Sequence, residues 1–128
     1  MGTMIQQQRL DEGGFRGERF RAHGRDLRGN NDILTLTRPE VIAGIHRSYL
    51  AAGADIIETN TFNSNAISQA DYASVAIVPE LNYRAARLAR SAADEFAQRT
   101  GEPRFVCHAL GLRPHARSAS AARQEAPA

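Results

Sequence analysis

Apolar residues recur at helical spacing between residues 38 and 52, which predicts an amphipathic helix there. Thr37 and Glu40 have the spacing of a capping box, in which each side chain bonds the main-chain amide of the other residue. Pro39 is tolerated in a first helical turn, and Gly53 is typical of the residue that follows a helix. The apolar face consists of Val41, Ile42, Ile45, Tyr49 and Ala52.

A second, longer amphipathic helix is predicted to begin at residues 78–80 (VPE). Gly101 would end it, and Pro103 prevents its continuation. A short helical piece is expected at residues 66–72, after the polar turn at residues 63–65, which can cap it. The apolar stripe of the long helix contains Leu81, Ala85, Leu88, Ala92 and Phe96.

Two short apolar runs predict β-strands, at residues 54–61 (ADIIETNT) and 104–110 (RFVCHAL). They alternate with the helices, and this order predicts a parallel sheet covered by helices, an α/β fold. The first run ends in Thr59, Asn60 and Thr61. Ligands in such folds bind beyond the carboxyl ends of strands, where these uncharged side chains could donate and accept hydrogen bonds. The pattern is equally consistent with a purely structural role, in which the three residues cap the strand and bond the turn that follows.

The first 36 residues are rich in Gly and Arg and show little apolar periodicity, which predicts a long loop. An alternative is an Arg-rich nucleic-acid-binding segment. Acidic residues are interleaved with the arginines or follow closely, and no RGG repeat is present, so we favour the loop. The acidic residues are Asp11, Glu12, Glu18, Asp26, Asp32 and Glu40.

Composition narrows the class of protein further. A chain of 128 residues with a net charge of +2 allows one ordinary domain and gives no strong signal for a polyanionic partner. All sixteen basic residues are Arg, which is typical of GC-rich coding sequence. One cysteine excludes an intrachain disulfide, and no apolar run has the length of a membrane span or a signal peptide. We therefore expect a cytoplasmic protein with neither a membrane nor a nucleic-acid partner.

Two long strings carry a family resemblance. MGTMIQQQRLDEGGFRGERF and GNNDILTLTRPEVIAGIHRSYLAAGADIIETNTFNSNAISQADY resemble the homocysteine-binding module of cobalamin-dependent methionine synthases, with similarity from Met1 to about Val106. The resemblance implies a (β/α)8 barrel that transfers a methyl group from methylcobalamin to the sulfur of homocysteine, which a zinc ion holds as thiolate. Zinc and cobalamin would be cofactors of the full-length enzyme, and its other modules would be possible partners.

The same resemblance implies a set of substrate-binding residues. Met1–Met4 match the end of the family's first barrel strand, so the backbone of Gly2, Thr3 and Met4 would line the amino-acid end of the homocysteine pocket. Thr59, Asn60 and Thr61 would lie at the mouth of the second strand. The family's three zinc-binding cysteines lie on later strands, so we assign neither a catalytic nor a metal-binding residue and expect no cofactor on this chain.

The chain's cysteine and histidines fit structural positions better than metal ligands. Cys107 occupies a position where the family has a small residue, which predicts a buried free thiol. His108 replaces a family glycine and has no second ligand at metal spacing. We expect His46 to be a partly exposed residue on the first helix, and His23 and His115 to lie in loops.

The resemblance ends after Gly111. Residues 1–111 would form an incomplete amino-terminal part of a barrel, with a loop over residues 1–36 and helix–strand alternation over residues 37–111. Residues 112–128 are rich in Ala, Arg, Ser and Pro, so we predict a disordered tail, and we hypothesise that a frameshift produced it. A closed barrel needs about 250 residues. We therefore expect marginal stability, or dependence on a partner.

Three functional hypotheses follow from these patterns. The first is an inactive fragment of a methionine synthase. The second is a subunit of a split methyltransferase, completed by a separately encoded remainder. The third is a small Arg-rich binding module, which the nearly balanced charge disfavours.

Overall fold

A computed structural model describes residues 1–111 and shows a mixed α/β arrangement built on a two-stranded parallel sheet. Two 3-10 turns, Asn31–Ile33 and Val75–Ile77, precede helices. The other elements are α1 (Gly2–Gln6), α2 (Glu12–Arg16), α3 (Leu34–Thr37), α4 (Pro39–Ala51), β1 (Ile56–Glu58), α5 (Ala66–Ala70), α6 (Val78–Thr100) and β2 (Phe105–Cys107).

The order α4–β1–α6–β2 confirms the predicted helix–strand alternation and the parallel sheet. Both strands have three residues and are shorter than the predicted runs. After β1, Thr59 N still bonds the Cys107 carbonyl, but the side chains of Thr59 and Thr61 bond each other and the loop after β2. Ile56 pairs with Phe105, and Glu58 pairs with Cys107. A closed barrel stays a prediction.

One face of the sheet packs on α6, and no described residue covers the other. Ile57 is buried against Leu50 of α4 and an Ala-rich stripe of α6, where small side chains let the helix approach the strands closely. Ile56 and Phe105 point to the open face and are 59% and 56% exposed. The stripe of α6 consists of Ala89, Ala92, Ala93 and Phe96.

A second apolar cluster joins the amino-terminal region to α4. Ile5 of α1 and Phe15 of α2 are buried against Ile42 and Ile45 of α4. Leu27, Ile33 and Leu34 complete the cluster. The predicted loop over residues 1–36 therefore contains short helices that bury their few apolar side chains, although they are too short to show periodicity.

The connection between α2 and residue 28 is ordered by one carboxylate. Glu12 accepts hydrogen bonds from the main-chain amides of Leu27 and Arg28, at 2.6 and 2.7 Å, and from Arg16 Nε at 2.8 Å. Burial alone would raise the pKa of Glu12, but these two amides and the Arg16 charge hold it below its ordinary value. Arg16 in turn donates to the carbonyls of His23 and Arg25, so polar bonds add to the burial of Leu27 in ordering this connection.

The predicted bounds of α4 are confirmed, but its predicted cap is wrong. Arg38 occupies the N-cap position, and no side chain bonds the free amides there. Thr37 belongs to α3, and its hydroxyl donates to the Ile33 carbonyl at 3.4 Å. The preceding helical turn therefore takes the hydroxyl that the capping box required. By contrast, Asn65 caps α5 as predicted, accepting from Ser68 N at 2.9 Å.

The buried faces of α4 and α6 otherwise agree with the predicted apolar faces, except at a few positions. Tyr49 is 45% exposed, and Ala52 is also exposed, whereas His46 and Leu50 are buried. The α6 stripe is confirmed except that Leu88 is only partly buried. Gly101 ends α6 with a left-handed backbone (φ 74°), as predicted, which a glycine adopts without steric cost.

Candidate functional site at the carboxyl ends of the strands

Three segments meet at the carboxyl ends of β1 and β2. Residues 59–64 follow β1, residues 108–111 follow β2, and residues 30–35 pack against the first of these segments. Gly111 N donates to the Phe62 carbonyl at 2.9 Å, and any side chain at Gly111 would collide with that oxygen. Glycine is therefore required where the loops after the two strands touch.

Two threonine hydroxyls form the centre of this region. Thr59 Oγ1 and Thr61 Oγ1 lie 2.7 Å apart, and Thr61 donates to the Ala109 carbonyl at 2.8 Å. The Ala109 amide donates back to Thr59 Oγ1 at 3.2 Å. His108 Nδ1 lies 3.4 Å from both hydroxyl oxygens. These bonds fasten the end of β1 to the end of β2.

Asn60 connects the same region to the segment before α3. Its amide nitrogen donates to the Asn31 carbonyl at 2.8 Å and to Thr35 Oγ1 at 3.4 Å. Thr59, Asn60 and Thr61 are 3%, 6% and 3% exposed, so their polar hydrogens are engaged inside the protein. That they contact substrate stays a prediction, and contact would require exchange of these bonds.

The other predicted binding residues lie on α1. Gly2 and Thr3 are exposed, whereas Met4 is partly buried against the amino-terminal cluster. A side chain added at Gly2 would reach Asn31 Nδ2 at 3.9 Å, and the Asn31 carbonyl is the acceptor for Asn60. Asn31 is therefore a common neighbour of the two predicted groups, which the structure places in one region.

Sequence reasoning missed a buried carboxylate in this region. Asp32 is 2% exposed and accepts from Ser64 Oγ at 2.6 Å and from Asn63 N at 2.9 Å. Burial raises the pKa of Asp32, although both hydrogen bonds oppose the shift. An acidic residue directly before the apolar run ILTL was the available signal, because an unpaired charge is seldom placed beside a core segment.

A buried amide pair supports the same loops. Asn30 Nδ2 donates to Gln69 Oε1 at 2.9 Å, and Gln69 Nε2 donates to Asn30 Oδ1 at 3.1 Å. Gln69 also donates to the Asn63 carbonyl at 3.0 Å. Because the partners are 39 residues apart, neither residue could be recognised from local spacing.

A separate cleft of about 260 Å³ lies beside β1, lined by Met1, His46, Tyr49 and Ile56–Glu58. The prediction that His46 is partly exposed is wrong, since it is 1% exposed and its Nε2 has no partner among the described residues. Burial, with the positive amino terminus as a smaller cause, lowers the pKa of His46 to about 4. A neutral imidazole therefore lines the cleft near neutral pH.

The remaining predictions concern Cys107 and the other histidines. Cys107 is exposed, which corrects the predicted buried thiol, because the face of β2 that carries it is uncovered within residues 1–111. His23 lies outside helices and strands as predicted, and its Nε2 is 2.6 Å from the Tyr72 carbonyl oxygen. His115 and the predicted tail lie outside the described residues.

The arrangement of the metal-ligating side chains bears on whether the chain could hold a metal ion. Among residues 1–111, no three His, Cys, Asp or Glu side chains are grouped so as to hold a metal ion. The zinc site of the resembled family requires three cysteines, and the chain has one. The donors present among residues 1–111 do not fit that site.

A helix–strand–helix–strand unit with polar loops at the carboxyl ends of its strands is typical of α/β enzymes that bind ligands there. Comparison with known protein families narrows this broad class of α/β enzymes to one family. The sequence model described as homocysteine S-methyltransferase matches residues 1–126, and the chain belongs to this family. The match continues past Gly111, where the resemblance to methionine synthases ended. In the part of the chain that the structure describes, no helix is long and apolar enough to cross a membrane.

Proposed function

We propose that this chain provides part of the homocysteine site of a methyltransferase of the cobalamin-dependent methionine synthase type. The observation that carries the proposal is membership of the homocysteine S-methyltransferase family over residues 1–126. The family description names methyl transfer to homocysteine. The sequence strings around Gly2 and Thr59 resemble cobalamin-dependent methionine synthases, and this resemblance supports methylcobalamin as the methyl donor.

In the proposed reaction, the homocysteine thiol loses its proton to solvent and the thiolate sulfur attacks the methyl carbon of the donor. An S–CH3 bond forms while the bond between the methyl group and its carrier breaks, with the electron pair remaining on the carrier. The chain's own contribution is binding and orientation by the loops after β1 and β2. Fixing the amino-acid end of the substrate lowers the entropic part of the barrier.

The burial of Thr59 and Thr61 suits an orienting role. Each hydroxyl holds the loop after the partner strand, so the main chain at the carboxyl end of the sheet is kept in one arrangement. A substrate bound there would contact a rigid surface, and little ordering would be required on binding.

The proposal is tested by titrating the 128-residue chain with L-homocysteine while recording backbone amide NMR signals. Shifts at Gly2–Met4 and Thr59–Thr61 are expected, with weaker shifts for homoserine, in which oxygen replaces sulfur. We expect no methionine formation from methylcobalamin by this chain alone, because one cysteine cannot form a three-cysteine zinc site. Unchanged signals at saturating homocysteine would contradict the proposed site.

A second candidate function is that of a complementing subunit. The edge of β1 that pairs with no strand among residues 1–111 favours it. Asp55 O and Thr59 N bond β2, so the main-chain groups of Ile56 and Glu58 face away from β2 by the alternation of a strand. They lie beside the cleft that holds His46 Nε2, which has no partner within residues 1–111. An extended segment from another polypeptide could pair with this edge.

Mixing the chain with a polypeptide that carries the later strands and zinc-binding cysteines of the family tests this second function. Complementation is expected to yield zinc-dependent methyl transfer and to slow hydrogen exchange at Ile56 and Glu58. A mixture that elutes as two separate proteins would exclude it.

A further inference from the structure

The bonds around His108 determine which of its ring nitrogens carries a proton. A carbonyl can only accept, so the single hydroxyl proton of Thr61 is used on the Ala109 oxygen. Thr59 must then be the donor in the 2.7 Å bond between the two hydroxyls. Neither threonine has a proton left for His108.

Both hydroxyl oxygens therefore present only lone pairs to His108 Nδ1, which lies 3.4 Å from each. The contact is attractive only if Nδ1 is the donor. This fixes the Nδ1–H form of the neutral ring and leaves Nε2 with a lone pair that no described residue uses. His108 is exposed, so this lone pair is open to a ligand.

The surrounding region has few free donors. The hydroxyl protons of Thr59 and Thr61 are donated to Thr61 Oγ1 and to the Ala109 carbonyl. Both amide hydrogens of Asn60 are donated to Asn31 and Thr35. A surface with acceptors and few donors suits a positively charged donor group.

We infer that His108 Nε2 accepts a hydrogen bond from the α-ammonium group of the amino-acid substrate. This inference rests on the proposed function, because it names the part of homocysteine that the same region contacts. Hydrogen bonds to charged groups are the stronger class, which favours the ammonium over the neutral thiol as the donor. His108 would then be a substrate-binding residue that the threonine pair holds in one form.

The structural half of the inference is tested on the free protein. Nitrogen-15 NMR of the imidazole at about pH 8, where a typical histidine is neutral, should show a protonated Nδ1 and an unprotonated Nε2 for His108. Thr59→Val combined with Thr61→Val should return the ring to a mixture dominated by the other form. An Nε2–H signal in the unmodified protein would overturn the inference.

The binding half compares two variants and two ligands. Asn at position 108 can imitate the Nδ1–H donor but has no acceptor at the Nε2 position, whereas Gln can supply that acceptor. His108→Asn is expected to weaken homocysteine binding about 10- to 100-fold, the range for a hydrogen bond to a charged group, and His108→Gln to weaken it less. Affinity for 4-mercaptobutyrate, which lacks the amino group, should be the same in all three proteins.

The outcomes separate the two proposals. If the unmodified chain binds homocysteine and His108→Asn binds it equally well, the role of His108 is refuted and the proposed function stands. Equal losses for homocysteine and 4-mercaptobutyrate would also refute it, since they would indicate a structural effect. If the unmodified chain binds neither compound, the proposed function fails and the inference fails with it.

Discussion

Ser64 Oγ donates a hydrogen bond of 2.6 Å to Asp32 Oδ2, across 32 residues of sequence. The same carboxylate oxygen accepts from Asn63 N at 2.9 Å. Together they attach the loop after β1 to the turn before α3. The loop that carries the candidate binding residues is thus positioned by a buried carboxylate rather than by apolar packing.

Asp32→Asn should preserve both bonds, because one amide oxygen has two lone pairs, and should remove a buried charge. The pKa of Asp32 is raised in the folded protein, so its stabilising contribution is complete below the ordinary aspartate pKa and is lost as pH rises through the folded value. The variant should lack this pH dependence and unfold within about 1 kcal/mol of the unmodified protein near pH 7.

Asp32→Ala is the matched comparison, since it leaves Ser64 and the Asn63 amide without an acceptor. We expect a loss of about 1–3 kcal/mol in the free energy of unfolding, measured by urea titration. Equal stabilities of the Asn and Ala variants would show that these hydrogen bonds contribute nothing.

Because His46 is buried in its neutral form, we predict that the free energy of unfolding decreases in acid. Its pKa is about 4 in the folded protein against about 6.5 in an unfolded chain, so its contribution is complete above the unfolded value and is lost as pH falls toward 4. The difference corresponds to about 3 kcal/mol in the free energy of unfolding. His46→Leu removes the titrating group and should flatten the stability profile between these pH values, as measured by urea titration at each pH.

The His46→Leu variant should be no less stable than the unmodified protein near neutral pH, because it also removes a buried nitrogen that bonds nothing in the described part of the chain. A profile parallel to that of the unmodified protein would mean that other groups cause the acid sensitivity.

Glu12→Gln should loosen the connection between α2 and residue 28. The amide has one acceptor oxygen and no charge, whereas the carboxylate serves Leu27 N, Arg28 N and Arg16. We expect a loss of about 1–2 kcal/mol and faster hydrogen exchange at the Leu27 and Arg28 amides.

Two comparisons test the Glu12 prediction. Glu18→Gln is the control, because Glu18 and Arg21 form a pair whose side chains are 86% and 75% exposed, and such pairs contribute little. The pKa of Glu12 is lowered, so its contribution should be present above the ordinary glutamate pKa and lost as pH falls through the folded value. Equal exchange rates in the two variants would contradict the assigned role.

The open sheet face should promote self-association. Replacing Ile56 and Phe105 together by Thr places a β-branched side chain at both strand positions and removes two exposed apolar groups. We expect a smaller apparent mass at high protein concentration in sedimentation velocity, with little change in urea stability. Association that is unaffected by the double change would place the contact elsewhere.

Periodicity predicted the long elements because their burial repeats along the sequence. The positions of α4 and α6, their parallel strands and the Asn65 cap were all available from local patterns. His46 was placed wrongly because it borders the apolar stripe of α4, and only packing against α1 and β1 decides which side of that border is buried. The capping box predicted at Thr37 was wrong for a similar reason. The Thr37 hydroxyl could bond either the Glu40 amide or the Ile33 carbonyl, and it bonds the carbonyl.

The candidate site was harder to predict because its bonds join distant segments. Asn30 with Gln69, Asp32 with Ser64, and Asn60 with Asn31 connect parts of the chain that no local pattern relates. Resemblance selected the strand end at Thr59, but it did not indicate that the hydroxyls there are buried. The role of His108 was also inaccessible, since it depends on where two threonine protons are directed.

Cys107 gives the protein a chemical reporter of its own. It is the sole cysteine in the sequence, it is exposed, and it stands opposite Glu58 on the uncovered face of the sheet. Its rate of alkylation therefore measures directly whether anything covers that face, without labels or substitutions. A chain that reacts quickly by itself and slowly in a cell extract would reveal, through one sulfur atom, that its sheet has been completed.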